Sequence, residues 1–288
     1  TLQTPESFWQ RFRVDMRVRH EVIAIHPERK AVSVRNLSTG ETFEESYDKL
    51  LLSPGAKPTQ PELPGVGQVF TLRTVEDTLR IHEFVKTHHP RSVVLAGGGF
   101  ISLEMAENLR ELGMEVTMVQ RPKQLMNPFD PEMASFIHAK MRKKGVRLLL
   151  GHTVEGFEEA PGGVRVLLKG AEPLEAELVV LAIGVTPDTQ LAKEAGLELG
   201  VKGSIAVNDR METSVPDIYA VGDAVQVQHF VTGEHTLISL AGPANKQGRI
   251  AADNICGGNS RYQGSQGSSV VKVFDMTAAA TGINEQAA

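Results

Sequence analysis

The chain is poor in the residues that would decide its chemistry at a glance. Of its 288 residues one is cysteine, Cys256, so no internal disulfide can form and the composition suits a reducing cytoplasm. Cys256 sits in Asn254-Ile255-Cys256-Gly257-Gly258, at an expected helix end, and reads as structural or incidental rather than as a nucleophile. No apolar run approaches the roughly 20 residues of a membrane span, which excludes a transmembrane helix. An excess of positive charge is missing too. The formal net charge of −5 argues against nucleic acid as the main partner. Metal-ligand spacing is also absent: His88-His89 has no neighbouring carboxylate or cysteine and reads as a surface loop, so no metal is expected. There is no internal repeat, low-complexity tract, signal peptide or initiator Met. The first residues read as the middle of a domain, and the numbering is expected to start inside a longer product.

What is present is one complete strand, glycine turn, helix and strand from Ser92 to Gln120. Val93 to Ala96 is a continuous apolar run, as a strand covered on both faces requires. Gly97, Gly98 and Gly99 turn the chain. Ile101, Met105, Leu109 and Leu112 then predict an apolar stripe along a helix ending at Gly113, and Val116 to Val119 the next strand. In such a unit the first glycine makes the turn, and the second lets backbone amides at the helix N-terminus approach a pyrophosphate. Ser102 replaces the third glycine, a small adjustment where helix and strand approach closest. Gln120 stands where an acidic residue would hold the adenosine ribose, and Arg121 follows it. The pair removes a carboxylate that would repel a 2′-phosphate and supplies a cation that would attract one, so NADPH is expected to be accepted at least as well as NADH.

The rest of the chain frames that unit. A helix is expected to start at Thr4-Pro5-Glu6-Ser7. Arg17 to Ile25 and Ala31 to Arg35 alternate as a hairpin about Pro27-Glu28, Glu41 to Tyr47 adds a third strand, and Asp48 to Leu52 a buried one. Pro58, Pro61, Pro64, Gly65 and Gly67 stiffen a connector that ends a first domain. A helix is predicted from Phe70 to His89, and a second over Pro131–Lys144 with Met133, Phe136, Ile137 and Met141 on one face. The basic run Lys140 to Arg147 reads as that helix's solvated end. Val146 to Leu150, Val164 to Leu168 and Leu174 to Glu177 are expected to form a meander, and Leu178 to Ile183 a buried strand closing at Gly184. Short strands follow at Ser204 to Val207 and Ile218 to Val221. Ala241 to Asn254 is the last predicted helix, with Pro243 in its first turn.

Three segments together resemble one family: Tyr47-Asp48-Lys49-Leu50-Leu51-Leu52-Ser53-Pro54-Gly55, the glycine unit, and Thr213-Ser214-Val215-Pro216-Asp217-Ile218-Tyr219-Ala220-Val221-Gly222-Asp223. They resemble the pyridine nucleotide-disulfide oxidoreductases. Leu240 to Arg249 and Val271-Lys272-Val273-Phe274-Asp275 resemble, within it, the coenzyme A-disulfide reductase, NADH oxidase and persulfide reductase branch. The resemblance implies an α/β fold in which a Rossmann-like NAD(P)-binding domain, a parallel sheet plus three-stranded meander, is inserted in an incomplete FAD-binding domain. The implied domains are 1–69 (FAD, first part), 70–190 (NAD(P)H), 191–258 (FAD, second part) and 259–288 (start of an interface domain).

Site residues follow by the same resemblance. Gly97, Gly98, Gly99, Ile101, Ser102, Gln120 and Arg121 would hold NADPH or NADH, with Gly184 on the nicotinamide side. Phe100 would gate that pocket and Glu104 stand one turn behind it; the alternatives for these two are core packing and a solvated helix position. Pro54, Gly55, Gly222, Asp223 and Ala241 would serve FAD, Asp223 accepting ribityl hydroxyls where its other role is capping a turn. The implied reaction takes hydride from NAD(P)H through FAD to a small-molecule disulfide or persulfide, or an oxygen-derived acceptor, in a cytoplasmic homodimer. The family's own FAD fingerprint and redox cysteine do not occur in these residues, so the chain is expected to be an inactive fragment of a flavin-dependent parent. A non-catalytic nucleotide-binding module and a ferredoxin-reductase-type flavoenzyme without redox cysteine remain as alternatives.

Overall fold

A computed structural model describes residues 3–288; residues 1 and 2, which begin the expected first domain, lie outside the described residues. The chain divides into two compact units, one of residues 1–55, 187–228 and 235–264, the other of 56–186, 229–234 and 265–288. Among the described residues no helix is long and apolar enough to cross a membrane.

In the first unit, Thr4 caps α1 (Pro5–Phe12) with a reciprocal capping box through Ser7. The strands β1 (His20–His26), β2 (Ala31–Asn36) and β3 (Thr42–Ser46) form the expected antiparallel meander, with a one-residue bulge between Val22 and Ala24. The short β4 (Leu50–Leu52) is not the buried strand expected: its central Leu51 is 38% exposed.

The second unit opens with β5 (Ala56–Pro58). Residues Phe70–Thr71 then form an edge strand, β6, rather than a helix start, and α2 (Val75–His88) begins only after Thr74, whose hydroxyl accepts the Asp77 amide while Asp77 accepts that of Thr74. Such a cap stabilises a helix start by about 1 kcal/mol. His88 stacks on Phe84, and His89 closes the helix in the left-handed conformation. Next come β7 (Ser92–Ala96), α3 (Phe100–Glu111), β8 (Glu115–Gln120), α4 (Pro131–Lys143) and β9 (Arg147–Leu150). The strand β9 lies in the parallel sheet, in order β6-β13-β7-β8-β9 with β13 (Leu178–Leu181), and not in the meander. The meander is β10 (Val154–Ala160), β11 (Gly163–Leu168) and β12 (Leu174–Ala176), all antiparallel. Val185–Pro187 is β14, paired with β5.

Two helix faces differ from their predicted stripes. On α3 the buried residues are Ser102, Leu103, Ala106, Glu107 and Leu109, and Leu112 is 67% exposed. On α4, Ala134, Ile137 and Met141 are buried, whereas Met133 and Phe136 point to solvent. Side chains three and four positions apart share a helical face, and the core selected the set centred on Ile137.

The chain returns to the first unit with α5 (Gln190–Glu194) and β15 (Ile218–Ala220), which pairs in parallel with β4. The segment Ser204 to Val207 makes only isolated bridges, through Ile205. The pair β16 (Val227–Gln228) and β17 (His235–Thr236) precedes α6 (Ala241–Ile255). Finally the hairpin β18 (Ser269–Val273) and β19 (Met276–Ala280) joins the second unit, where Val271, Val273 and Phe274 enter the core beside α3 and α4. Glu107, 9% exposed, accepts the Phe274 amide at 2.8 Å and the Lys272 ammonium at 3.0 Å. The basic end of α4 is not simply solvated. Lys140 and Lys144 both bind Asp275, whose carboxyl is held down at about 2, chiefly by its hydrogen bond from Lys140.

Candidate functional site

The glycine turn is built by its surroundings. The Gly97 amide still belongs to the sheet, donating to Val119 at 2.8 Å, but its φ of +123° turns the chain out of the strand. A Cβ there would lie 2.2 Å from the Ala182 carbonyl oxygen, so only glycine fits. A Cβ on Gly98 would lie 2.7 Å from Leu125 and 2.8 Å from the Gln120 carboxamide, which pack against it. A Cβ on Gly99 would meet nothing within 4 Å.

That open space faces unsatisfied donors. Gly99 is the N-cap of α3 and offers no side-chain acceptor, and the first intrahelical bond is Leu103 N–H to the Gly99 carbonyl at 3.1 Å. Among the described residues no backbone or side-chain acceptor is recorded for the amides of Phe100, Ile101 and Ser102. These are the orphan donors of a helix start, at the positive end of its dipole. Three such amides at a helix start, after a glycine with open space at its Cβ position, fit a pyrophosphate. The Ser102 hydroxyl is buried, 1% exposed, and has no hydrogen-bond partner.

The residues after β8 flank the turn. Gln120 directs its side chain beneath Gly98, while its carbonyl accepts the His152 amide at 3.1 Å. Arg121 is exposed, and among the described residues its guanidinium has no hydrogen-bond or ion-pair partner. Phe100 is half-buried against the core formed by β7 and α3, and Glu104 is exposed, one turn further along α3. Gly184, with φ +124°, follows β13 and accepts the Thr59 amide at 2.9 Å.

In the first unit, Pro54-Gly55 and Gly222-Asp223 leave the same ends of the parallel pair β4 and β15. The Gly222 amide donates to the Gln247 side chain at 2.7 Å, and Gln247 is 1% exposed on α6. Asp223 lies in the single turn Gly222–Ala224. Ala241 begins α6, whose N-cap Leu240 provides no side-chain acceptor. Another trio, Leu125, Met126 and His138, is hydrogen-bonded to the glycine turn through Gly98 and has no sequence signature beyond a histidine on a helix.

A parallel sheet whose central strand runs into a glycine turn and an uncapped helix defines a Rossmann-type protein. The chain belongs to the pyridine nucleotide-disulphide oxidoreductase family, whose sequence profile matches residues 6–248. It is 34% identical over 281 residues to the coenzyme A disulfide reductase of Staphylococcus aureus, an alignment covering 97% of this chain and 63% of that protein. The chain thus spans less than two thirds of the length of these curated relatives. The structure of reduced Bacillus anthracis CoADR-RHD superposes with a TM-score of 0.96 at 48% identity, covering 99% of this chain and 52% of that one. The water-forming NADH oxidase from Lactobacillus brevis, bound to NADH, gives a TM-score of 0.93 at 30% identity, covering 99% and 63%. Its engineered NADPH oxidase mutant, bound to NADPH, gives 0.89 at 32%, covering 93% and 60%.

Proposed function

We propose that the whole protein is an FAD-dependent NAD(P)H oxidoreductase of the disulfide-reductase type, acting on a small-molecule disulfide or persulfide or an oxygen-derived acceptor as a cytoplasmic homodimer, and that this chain carries its NADPH site. The observation that carries the reading is the set of amides at Phe100, Ile101 and Ser102 with no protein acceptor, following Gly99, where a Cβ would meet nothing within 4 Å. In this reading Gly97, Gly98 and Gly99 admit the pyrophosphate and Arg121 receives the 2′-phosphate. Phe100 and Gly184 border the nicotinamide, with Glu104 behind. Pro54, Gly55 and Gly222 bring backbone to the flavin. Asp223 accepts ribityl hydroxyls, and the α6 terminus at Ala241 sets its positive end against the ring. When bound, the two cofactors supply the hydride and its relay; the protein supplies placement and electrostatics.

The engineered oxidase supports the choice of NADPH. Its substitutions exchange an adjacent aspartate and alanine for alanine and arginine, and a glycine eighteen positions before that aspartate for alanine. At the same spacing this chain already has Gln120-Arg121 and Ser102.

Cys256 cannot serve as the redox thiol in this reading. It follows the last residue of α6, whereas Ala241 begins that helix, and 15 residues of helix separate the two ends by roughly 22 Å. The 288-residue chain, purified alone, is expected to carry no flavin and to reduce no coenzyme A disulfide. The absorbance near the flavin band and a coenzyme A disulfide assay check both. Stoichiometric yellow flavin or turnover would overturn this account.

A further inference from the structure

Two successive amides couple α4 to the glycine turn. Leu125, fully buried, donates its N–H to His138 Nε2 at 3.0 Å, and Met126 donates to the Gly98 carbonyl at 2.8 Å. Met126 is held at φ +55°, a left-handed conformation that costs a non-glycine residue about 1 kcal/mol or more. That conformation needs support: the two hydrogen bonds fix the chain entering it, and the Met126 carbonyl, accepting the Phe129 amide at 2.9 Å, fixes the chain leaving it. Leu125 also packs where a Gly98 Cβ would stand. The loop that carries Arg121, residues 121–130, is thereby tied at its middle to the glycine turn.

We propose that His138, in its neutral form, is a positioning residue for the dinucleotide site, holding Gly98 in place through the Leu125–Met126 segment. The proposal rests on the reading of Gly97–Ser102 as a nucleotide cradle. As acceptor, Nε2 must be unprotonated, which leaves the ring proton on Nδ1. Protonation turns both nitrogens into donors, sets one against the Leu125 N–H, and frees the strained segment. The Arg142 charge opposes protonation of the ring. Arg142 follows one turn on along α4, and Lys123, from the loop after β8, is the one charged residue lining with His138 a cavity of about 560 Å³ that Gln286 also borders. Burial first, and Arg142 second, push the imidazole below its ordinary value of about 6.5. The brace is therefore present at neutral pH and is lost only as pH falls through that lowered value.

The test uses NAD⁺, which has no phosphate titrating in this range, bound to the full chain by calorimetry from pH 8 to pH 5, with amide hydrogen exchange of the nucleotide-free chain alongside. Wild-type affinity is expected to hold from pH 8 through neutrality and to fall, by up to about fivefold, as His138 becomes protonated, the effect of losing one hydrogen bond. His138→Gln, whose carboxamide oxygen accepts at every pH, is expected to bind as wild type does at pH 8 and to lose the pH dependence. His138→Phe is expected to bind roughly fivefold more weakly at pH 8, with faster exchange at Leu125 and Met126. A wild-type affinity that falls with pH and is matched by His138→Gln overturns the proposal, as does His138→Phe exchanging as slowly as wild type. Faster exchange with unchanged NAD⁺ affinity overturns the coupling to the site. Failure of wild type to bind NAD⁺ at pH 8 contradicts the nucleotide reading instead, while the exchange data still report on the brace.

Discussion

Arg121→Ala is expected to weaken NADPH binding by roughly tenfold while leaving NADH binding within about twofold. The guanidinium is exposed at the first position after β8, with no recorded protein partner, so nothing in the fold depends on it. A 2′-phosphate would gain charge-assisted hydrogen bonds from its fork, strengthened by geometry but reduced by solvent screening. The neighbouring position sets the opposite term. Gln120→Asp is expected to place a carboxylate that repels the 2′-phosphate and to move preference toward NADH. Titrating each variant with both cofactors reads the ratio directly. An unchanged ratio in Arg121→Ala would remove Arg121 from the site.

Gly97→Ala and Gly99→Ala are expected to fail in different ways, and that contrast separates the turn's structural role from its binding role. At Gly97 a methyl group would stand 2.2 Å from the Ala182 oxygen at φ +123°. Backbone of β7 or β13 must move, at an expected cost of about 4 kcal/mol or more in unfolding free energy. At Gly99 the backbone is extended and a methyl group meets nothing within 4 Å. The fold is expected to tolerate it at about 1 kcal/mol or less, but the added group occupies the phosphate space, so NADPH binding should fall by tenfold or more. Urea denaturation and cofactor titration of the two variants check this. A Gly99→Ala protein that binds as wild type does would place the phosphate elsewhere.

Local signals carried the centre of this molecule. A run of apolar residues into three glycines states its own strand and turn, because the requirement at Gly97 is a backbone requirement. Helix faces were less legible: on α3 Ser102, Leu103 and Ala106 are buried while Ile101 and Met105 are only partly so, because faces one position apart on a helix carry similar apolar spacing. The strand Val154–Ala160 escaped because Glu155, Glu158 and Glu159 interrupt its apolar alternation, yet pairing with β11 suffices to form it. The parallel pairing of β4 with β15 joins distant parts of the chain, and only family resemblance brought Pro54-Gly55 and Gly222-Asp223 together beforehand. The Leu125 bond to His138 and the Glu107 bonds to Lys272 and Phe274 had no local trace. Each needs a partner that sequence spacing does not specify.

The central claim is that the uncapped start of α3 and the following Gln120-Arg121 form an NADPH site. Calorimetric titration of the purified chain with NADPH and NADH tests it most directly. The account predicts one NADPH per chain, bound at least as tightly as NADH. Absence of NADPH binding, or much tighter binding of NADH, would contradict it.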